Sequence, residues 1–282
     1  MFSILAKFLN SKSQKISTAA MIVAFFGLIS RIFGLWRDHL LAGQFGAGKT
    51  LDIYYTAFKI PDLVYNILVV GIISSVFLPI FYEYSTKDKD EAWRFSSNVL
   101  NALILALILF STLLILFAPL LIYLVAPGFD KASHDLAVKI SRILFLSPIL
   151  LGVSAFASAL LQAFSRFLVT SLAPIFYNLG IIFGIIFLTP KFGIWGLTYG
   201  VILGALLHLL IQLPSIYSIG FKPFVGVNFK DLGLKKVIKL WLPRAAGLVA
   251  LQINGIVITA IASVLATGSI AIFNFADNLK WV

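Results

Sequence analysis

Seven times along the chain, an apolar run longer than the ~20 residues that cross a bilayer gives way to a short polar connection. The runs cover roughly residues 17–42, 53–82, 96–125, 136–163, 168–189, 193–218 and 235–264, and an eighth begins near 269. No soluble fold of 282 residues can hide that much apolar surface. Hydrophobic residues make up 60% of the chain and charged ones only 12%, whereas soluble domains are about a quarter charged. Lipid must solvate most of this surface. The expected fold class is therefore an all-α polytopic membrane protein. Pro61, Pro79, Pro148, Pro174 and Pro243 lie inside the runs, where they are expected to bend helices and free backbone carbonyls.

Charge is sorted between the connections. Lys7, Lys12 and Lys15 precede the first run, Lys87, Lys89 and Arg94 follow the second, and Arg166 follows the fourth. Lys222, Lys230, Lys235, Lys236 and Lys239 follow the sixth. The opposite set holds only Lys49, Lys131, Lys139 and Lys191. Positive loops stay in the cytoplasm, so the N-terminus is expected there, with odd-numbered spans running outward. The net charge of +11 is thus read as topology-setting, and no nucleic-acid partner is expected. The first apolar run comes late and is followed by Arg31 rather than a small-residue cleavage site, unlike a signal peptide.

Four segments follow. Residues 1–16 read as an interfacial segment and 17–219 as a six-span lobe. Residues 220–234 read as a basic cytoplasmic connection and 235–282 as the start of a second lobe. A six-span unit closed by a basic connection is half of a repeat-built transporter, so the chain is expected to be the N-terminal portion of a longer protein.

Charges inside the first two runs carry the functional argument. If the first span is helical from Ser17, Arg31 lies about 21 Å along it at 1.5 Å per residue, well inside a ~30 Å hydrocarbon core. Arg31 and Asp38 are seven apart and share a face, while Arg37 lies about 120° round, beside Ser30, Phe33, Gly34 and Leu41. In the second span Asp52 and Lys59 are also seven apart, with Pro61, Asp62 and Asn66 close behind. An intramembrane charge costs at least ~2.5 kcal/mol, so such groups face a bundle interior or a watery cavity. Arginine keeps its charge and grips phosphate oxygens with two parallel N–H groups. The expectation is a cationic cavity for an anionic substrate, with Asp38 and Asp52 either holding the arginines when it is empty or helping to release the substrate.

Enzyme chemistry finds little support. Cysteine is absent, and His39, His134 and His208 are far apart without metal-ligand spacing. Asp130, Asp135 and the "KDKDE" run at Lys87–Glu91 read as solvated loop charge rather than a transferase site. With no P-loop, no nucleophile elbow and no cofactor expected, energy has to come from a coupling ion, Na+ or H+, or from the membrane potential.

The motif residues Ser30, Arg31, Gly34, Arg37 and Asp38 ("SRxxGxxRD") are followed by "FGAG" at Phe45 to Gly48 and by Asp52. Then come "FKxP" at Phe58, Lys59 and Pro61, "FxPxxxEY" at Phe77, Pro79, Glu83 and Tyr84, and "APGF" at Ala126 to Phe129. Arg166, Phe167, Ala173, Pro174, Asn178 and "QLP" at Gln212 to Pro214 continue the series, which ends at Gly268, Ser269, Ala276, Asp277 and Leu279. In this order they resemble the MurJ (MviN) lipid II flippase family of the multidrug/oligosaccharidyl-lipid/polysaccharide exporter superfamily.

The resemblance implies a two-lobe, fourteen-span, MATE-like transporter in the bacterial inner membrane. Its central cavity would bind the undecaprenyl-pyrophosphate-linked saccharide through Arg31, Arg37, Asp38 and Asp52, while the lipid tail stays among the membrane lipids. Lys59 joins the site on its position, and Ser30, Gly34 and Asn66 stand at its edge. Two departures bear on the substrate. Tyr65 and Asn66 stand where the family has an arginine pair, and Asn278 and Trp281 stand where the last motif has arginine and glutamate. Lys280 lies about 200° round a helix from Asn278, so it does not restore that cation. These departures leave room for a different lipid-linked oligosaccharide or a drug-like solute.

Overall fold

The computed structural model describes residues 15–280, apart from the side chains of Ser74 and Ser75. The interfacial segment expected before residue 15 and Trp281 lie outside the described residues. Every regular element among those described is a helix, as expected for a chain whose backbone must satisfy itself in lipid.

Span 1 is one helix, α1 (Ile16–Phe45), closed by Gly46 at φ 63°. Span 2 is compound. Helix α2 (Lys49–Val64) passes through π turns at Tyr65–Val70 and Ile73–Phe77 before α3 (Leu78–Ser85). Span 3 is α4 (Lys89–Leu116) continued by α5 (Ala118–Val125), with the break at Phe117, two residues before Pro119. Span 4 joins α6 (Lys131–Leu144) to α7 (Leu146–Ala163), again broken just before a proline, Pro148. Span 5 runs from α8 (Phe167–Phe183) through a π turn at Gly184–Leu188 into α9 (Thr189–Phe192). Span 6 is α10 (Ile194–Leu210) with α11 (Leu213–Ser218), span 7 is α12 (Leu232–Ser263), and α13 (Ser269–Lys280) belongs to span 8. Six of these spans are long and apolar enough to cross a membrane as continuous helices. Span 2, which the π turns interrupt, is the seventh run expected from the sequence.

The acids at the connections are caps. Asp88 accepts from Asp90 N at 2.8 Å, Asp130 from Ser133 N at 3.2 Å and Asp231 from Leu234 N at 2.7 Å. Each satisfies an N–H that an isolated helix start leaves without a partner. Asp88 of the "KDKDE" run and Asp130 therefore have structural work.

Two apolar cores hold the bundle. One gathers Phe77, Phe95, Phe156 and Leu160 from spans 2, 3 and 4, near the basic connections. The other gathers Leu41, Leu51, Ile122, Ile140 and Leu197 at the opposite end. Spans 5 and 6 meet backbone to backbone, because a Cβ on Gly180 would strike Gly204 and one on Gly184 would strike Gly200. Small residues are the usual means of such close approach in lipid, where no hydrophobic drive pulls helices together. Span 1 packs against span 5, and most of its remaining surface is exposed.

The segment after span 6 is tied back to span 3. Asn98 exchanges two hydrogen bonds with the Asn228 backbone, at 3.0 and 2.7 Å. Asn101 donates to the carbonyls of Phe224 and Gly226 at 2.6 and 2.9 Å. Lys236 of α12 pairs with both oxygens of Glu83 at 2.9 and 2.7 Å, joining spans 7 and 2 at this end.

Candidate functional site

Arg37 is the organising residue. It sits on the buried side of α1, where that helix leans on span 5. Its Nε and Nη2 donate to Asp38 Oδ1 at 2.9 and 2.8 Å, and its Nη1 donates to Asn178 Oδ1 at 3.0 Å. Asn178 in turn donates to the carbonyls of Ser30 at 3.3 Å and of Pro174 at 3.2 Å. Asp38 uses its other oxygen to accept from Asn278 Nδ2 of α13 at 3.0 Å. The Arg37–Asp38 pair thus ties spans 1, 5 and 8 together. The side chains of Arg37 and Asp38 are 22% and 12% exposed, so the pair is largely removed from solvent. Such a pair is stable only where further hydrogen bonds satisfy its remaining groups, and here they do.

The pair faces a cavity of about 210 Å3 between spans 1, 2, 5 and 8. Tyr54, Tyr55, Phe58 and Tyr177 form aromatic walls, and Lys59 and Asp62 supply further charge. Lys59 lies within electrostatic reach of Asp62 and of Asp277 on α13. A second cavity of about 230 Å3 adjoins it, with Phe58, Asp62 and Tyr177 common to both.

The residues expected from the sequence divide into groups. Arg37, Asp38 and Lys59 come together at the first cavity. Ser30 supports them through Asn178. Arg31 is exposed on another face of α1 and forms no hydrogen bond or ion pair among the described residues, in keeping with two differently directed cations on one helix. A Cβ on Gly34 would meet nothing within 4 Å, so this glycine marks open space rather than tight packing. Asn66 donates to the Asp62 carbonyl of its own helix at 2.8 Å and does not line the cavity.

Asp52 departs from its expected role of holding an arginine. It is 6% exposed, and its oxygens accept from Gly268 N at 2.6 Å and Ala271 N at 2.8 Å. It caps the start of α13 from across the bundle, and its carboxylate also complements the positive end of that helix. It lines a separate cavity of about 220 Å3 with Lys49, Asp130 and Ser263.

In the sequence Asn178 is only one member of a motif, and Asn278 reads as a lost cation. Both anchor the Arg37–Asp38 pair. An asparagine inside an apolar run is costly unless hydrogen-bonded, and that signal alone marked Asn178 as a partner to be found. Tyr54, Tyr55 and Tyr177 carried no comparable signal, because aromatic residues are common throughout these spans.

Among the described residues, no group of three or more histidine, aspartate or glutamate side chains is arranged to hold a metal ion. The first cavity brings together two cations, Arg37 and Lys59, two carboxylates, Asp38 and Asp62, and aromatic walls.

The family profile described as "Lipid II flippase MurJ" matches residues 41–280. A probable lipid II flippase MurJ of Buchnera aphidicola subsp. Schizaphis graminum (strain Sg) is 36% identical over 262 residues, covering 91% of this chain and 51% of the relative. The solved structure of a lipid II flippase MurJ in an inward closed conformation superposes with a TM-score of 0.77 at 28% identity, over 93% of this chain and 54% of that one. A MATE transporter solved in complex with MaD3S shares the fold, with a TM-score of 0.66 at 16% identity over 97% of this chain and 62% of its own. The chain spans about half the length of the curated relatives it matches. The all-α, MATE-like architecture is therefore as expected, and with the profile match covering most of its length the chain belongs to the MurJ lipid II flippase family.

Proposed function

We propose that this chain binds the head group of lipid II, an undecaprenyl-pyrophosphate-linked saccharide, and takes part in moving it from the cytoplasmic to the outer leaflet of the bacterial inner membrane by alternating access. Membership of the MurJ family supports this reading. The observation that carries it is the Arg37 fork, held between Asp38 and Asn178 at the wall of a cavity that also contains Lys59. Asp38 acts as the resident counter-ion of the empty site. An arriving phosphate takes over the two donors that Arg37 gives to Asp38, because a guanidinium pairs equally well with either oxyanion. Asp38 remains bonded to Asn278, so exchange at Arg37 changes the load on the contact between spans 1 and 8. Arg31, exposed six residues earlier on span 1, supplies a second cation outside this cavity. The N-terminus lies in the cytoplasm, and Na+, H+ or the membrane potential drives the cycle.

The neutral Asn278 and Tyr65 favour one alternative, a different lipid-linked oligosaccharide or a drug-like solute, because the cavity carries fewer cations than the family pattern. Exchanging lipid substrates in a reconstituted assay separates the two.

The test of the main reading is cell-wall synthesis in bacteria whose sole flippase carries Arg37→Ala or Arg31→Ala. Loss of synthesis with normal membrane insertion is expected. Normal synthesis by either variant contradicts the assignment of that arginine.

A further inference from the structure

The segment between spans 6 and 7 is a strap held against span 3. It starts from Phe221, buried beside Trp93 and Phe156. It ends at Asp231, which caps α12. Between them the backbone forms neither helix nor strand, yet several of its polar groups have protein partners. The Asn98 side chain donates to the carbonyl of Asn228 and accepts from its N–H. Asn101 donates to the carbonyls of Phe224 and Gly226. A loop running over a watery surface can leave such groups to solvent. Irregular backbone at membrane depth must find them in the protein, and the side chains of span 3 supply them here.

The place where the strap crosses span 3 fits that depth. Arg94, Asn98 and Asn101 stand four and then three residues apart, so they share one stripe of α4. Before the crossing, Lys89, Asp90, Glu91 and Arg94 are exposed on α4. One turn beyond Asn101, exposed apolar side chains begin at Leu105 and continue through Ile108, Leu109 and Phe110. The strap therefore lies where the surface of span 3 changes from charged to apolar. At that level it presents Phe224, Val225 and Phe229, all exposed, and Val225 fully so. Lys222 and Lys230 flank these three in sequence, and Arg94 lies one turn from Asn98 on the charged side. All three cations are exposed, and their side chains form no hydrogen bond or ion pair among the described residues.

From this arrangement we infer that residues 221–231 form a phospholipid-binding strap in the bilayer surface. Phe224, Val225 and Phe229 enter the upper acyl chains, and Arg94, Lys222 and Lys230 surround the phosphate of an anionic phospholipid. Interfacial segments hold to lipid in this way, with apolar side chains just below the head groups and basic ones beside them. Lysine and arginine stems lie along the apolar surface while their charged ends reach back to the head groups. The occupant is lipid rather than a second protein surface. Free cations around an apolar patch match the negative surface of a membrane, whereas lysine is depleted where proteins meet. This site is separate from the Arg37 cavity and does not depend on what that cavity binds, since none of these residues lines it.

The chain contains no cysteine, so Val225→Cys gives a single attachment point for a bimane fluorophore. The purified, labelled protein is placed in phosphatidylcholine nanodiscs that hold a small fraction of lipid with a nitroxide high on its acyl chain. The nitroxide is carried by phosphatidylglycerol in one sample and by phosphatidylcholine in the other. Both lipids are expected to quench the label, with phosphatidylglycerol favoured about fivefold, the effect of one cation near an anionic surface. With Arg94→Gln, Lys222→Gln and Lys230→Gln added, the preference is expected to vanish while quenching by the phosphatidylcholine probe persists. Equal quenching by the two lipids in the parent, or a preference that survives the three substitutions, overturns the phosphate site. A label reached by aqueous iodide and by neither lipid lies in water, and one reached by none of the three is covered by protein. Either result overturns the strap. The same label at Lys87→Cys is expected to answer to iodide alone, and lipid quenching as strong there as at Val225→Cys overturns the assigned depth.

Discussion

The Asp52 carboxylate on span 2 receives the backbone N–H of Gly268 at 2.6 Å, across 216 residues of sequence. With its second bond to Ala271 N it closes the start of α13. Gly268 is suited to the position twice over, since its φ of 94° is left-handed and a Cβ there would run into the Ala47 carbonyl. The contact joins the beginning of span 2 to the beginning of α13, at the other end of span 2 from the Glu83–Lys236 pair. It is one of the ties between span 2 and the spans that follow the basic connection.

Asp52→Asn keeps the size of the side chain but replaces one acceptor oxygen with an NH2 group that faces a backbone N–H. A lost cap costs about 1 kcal/mol, and a buried N–H left unpaired up to about 3. Hydrogen exchange is expected to accelerate at Gly268 and Ala271 while the amides of α4 stay unchanged. Unchanged exchange at both positions contradicts the cap.

Trp241 of α12 donates from Nε1 to the Ile67 carbonyl at 2.8 Å. Ile67 lies in the π turn at Tyr65–Val70, where the register of backbone bonds slips. The indole therefore serves a carbonyl from irregular backbone inside the membrane. Trp241→Phe keeps most of the apolar bulk and removes the donor, with an expected loss of about 1–2 kcal/mol. Thermal unfolding in detergent checks this. A variant as stable as the parent shows that the indole bond adds nothing.

Asp130, outside the membrane-spanning segments, accepts from Lys49 Nζ at 3.0 Å while capping α6. The Ser133 hydroxyl, the Lys49 ammonium and the Ser133 N–H hold its carboxyl down at about 2, below the ordinary value of about 3.9. A lowered carboxylate lends stability above its unfolded value and loses it as pH falls through the folded one. The tie between Lys49 and Asp130 is therefore intact at neutral pH and weakens between about pH 4 and pH 2. Carbon-13 resonances of labelled aspartate carboxyls are expected to show Asp130 titrating near the lower limit. A midpoint near the ordinary value contradicts the arrangement.

Span positions were legible to within about two helical turns because lipid imposes a minimum apolar length, and caps at Asp88, Asp130 and Asp231 mark several starts. The two π turns of span 2 were not, since a slipped hydrogen-bond register leaves no trace in hydropathy. Within the site, Arg37, Asp38 and Lys59 stood out because charge in an apolar run needs a reason. Asp52 stood out for the same cause but took a different role, because its partners are backbone amides of a segment no spacing rule connects to it. Asn278 read as the loss of a cation. Its amide nevertheless reaches Asp38 at 3.0 Å, so the contact between spans 1 and 8 is kept without charge. Asp62 was visible only as polarity beside Pro61. Its place between two cavities depends on how spans 2, 4, 5 and 6 pack.

The central claim is that Arg37 and Lys59 form the anion-binding wall of this family member. The most direct measurement is the affinity of the purified protein for lipid II, compared with the Arg37→Ala, Lys59→Ala double variant under the same lipid and salt conditions. Charge-assisted contacts to phosphate contribute about 1.5–3 kcal/mol each, so the account predicts a loss of at least about tenfold, with the helical content unchanged. Equal affinity in the two proteins contradicts it and moves the binding site away from this cavity.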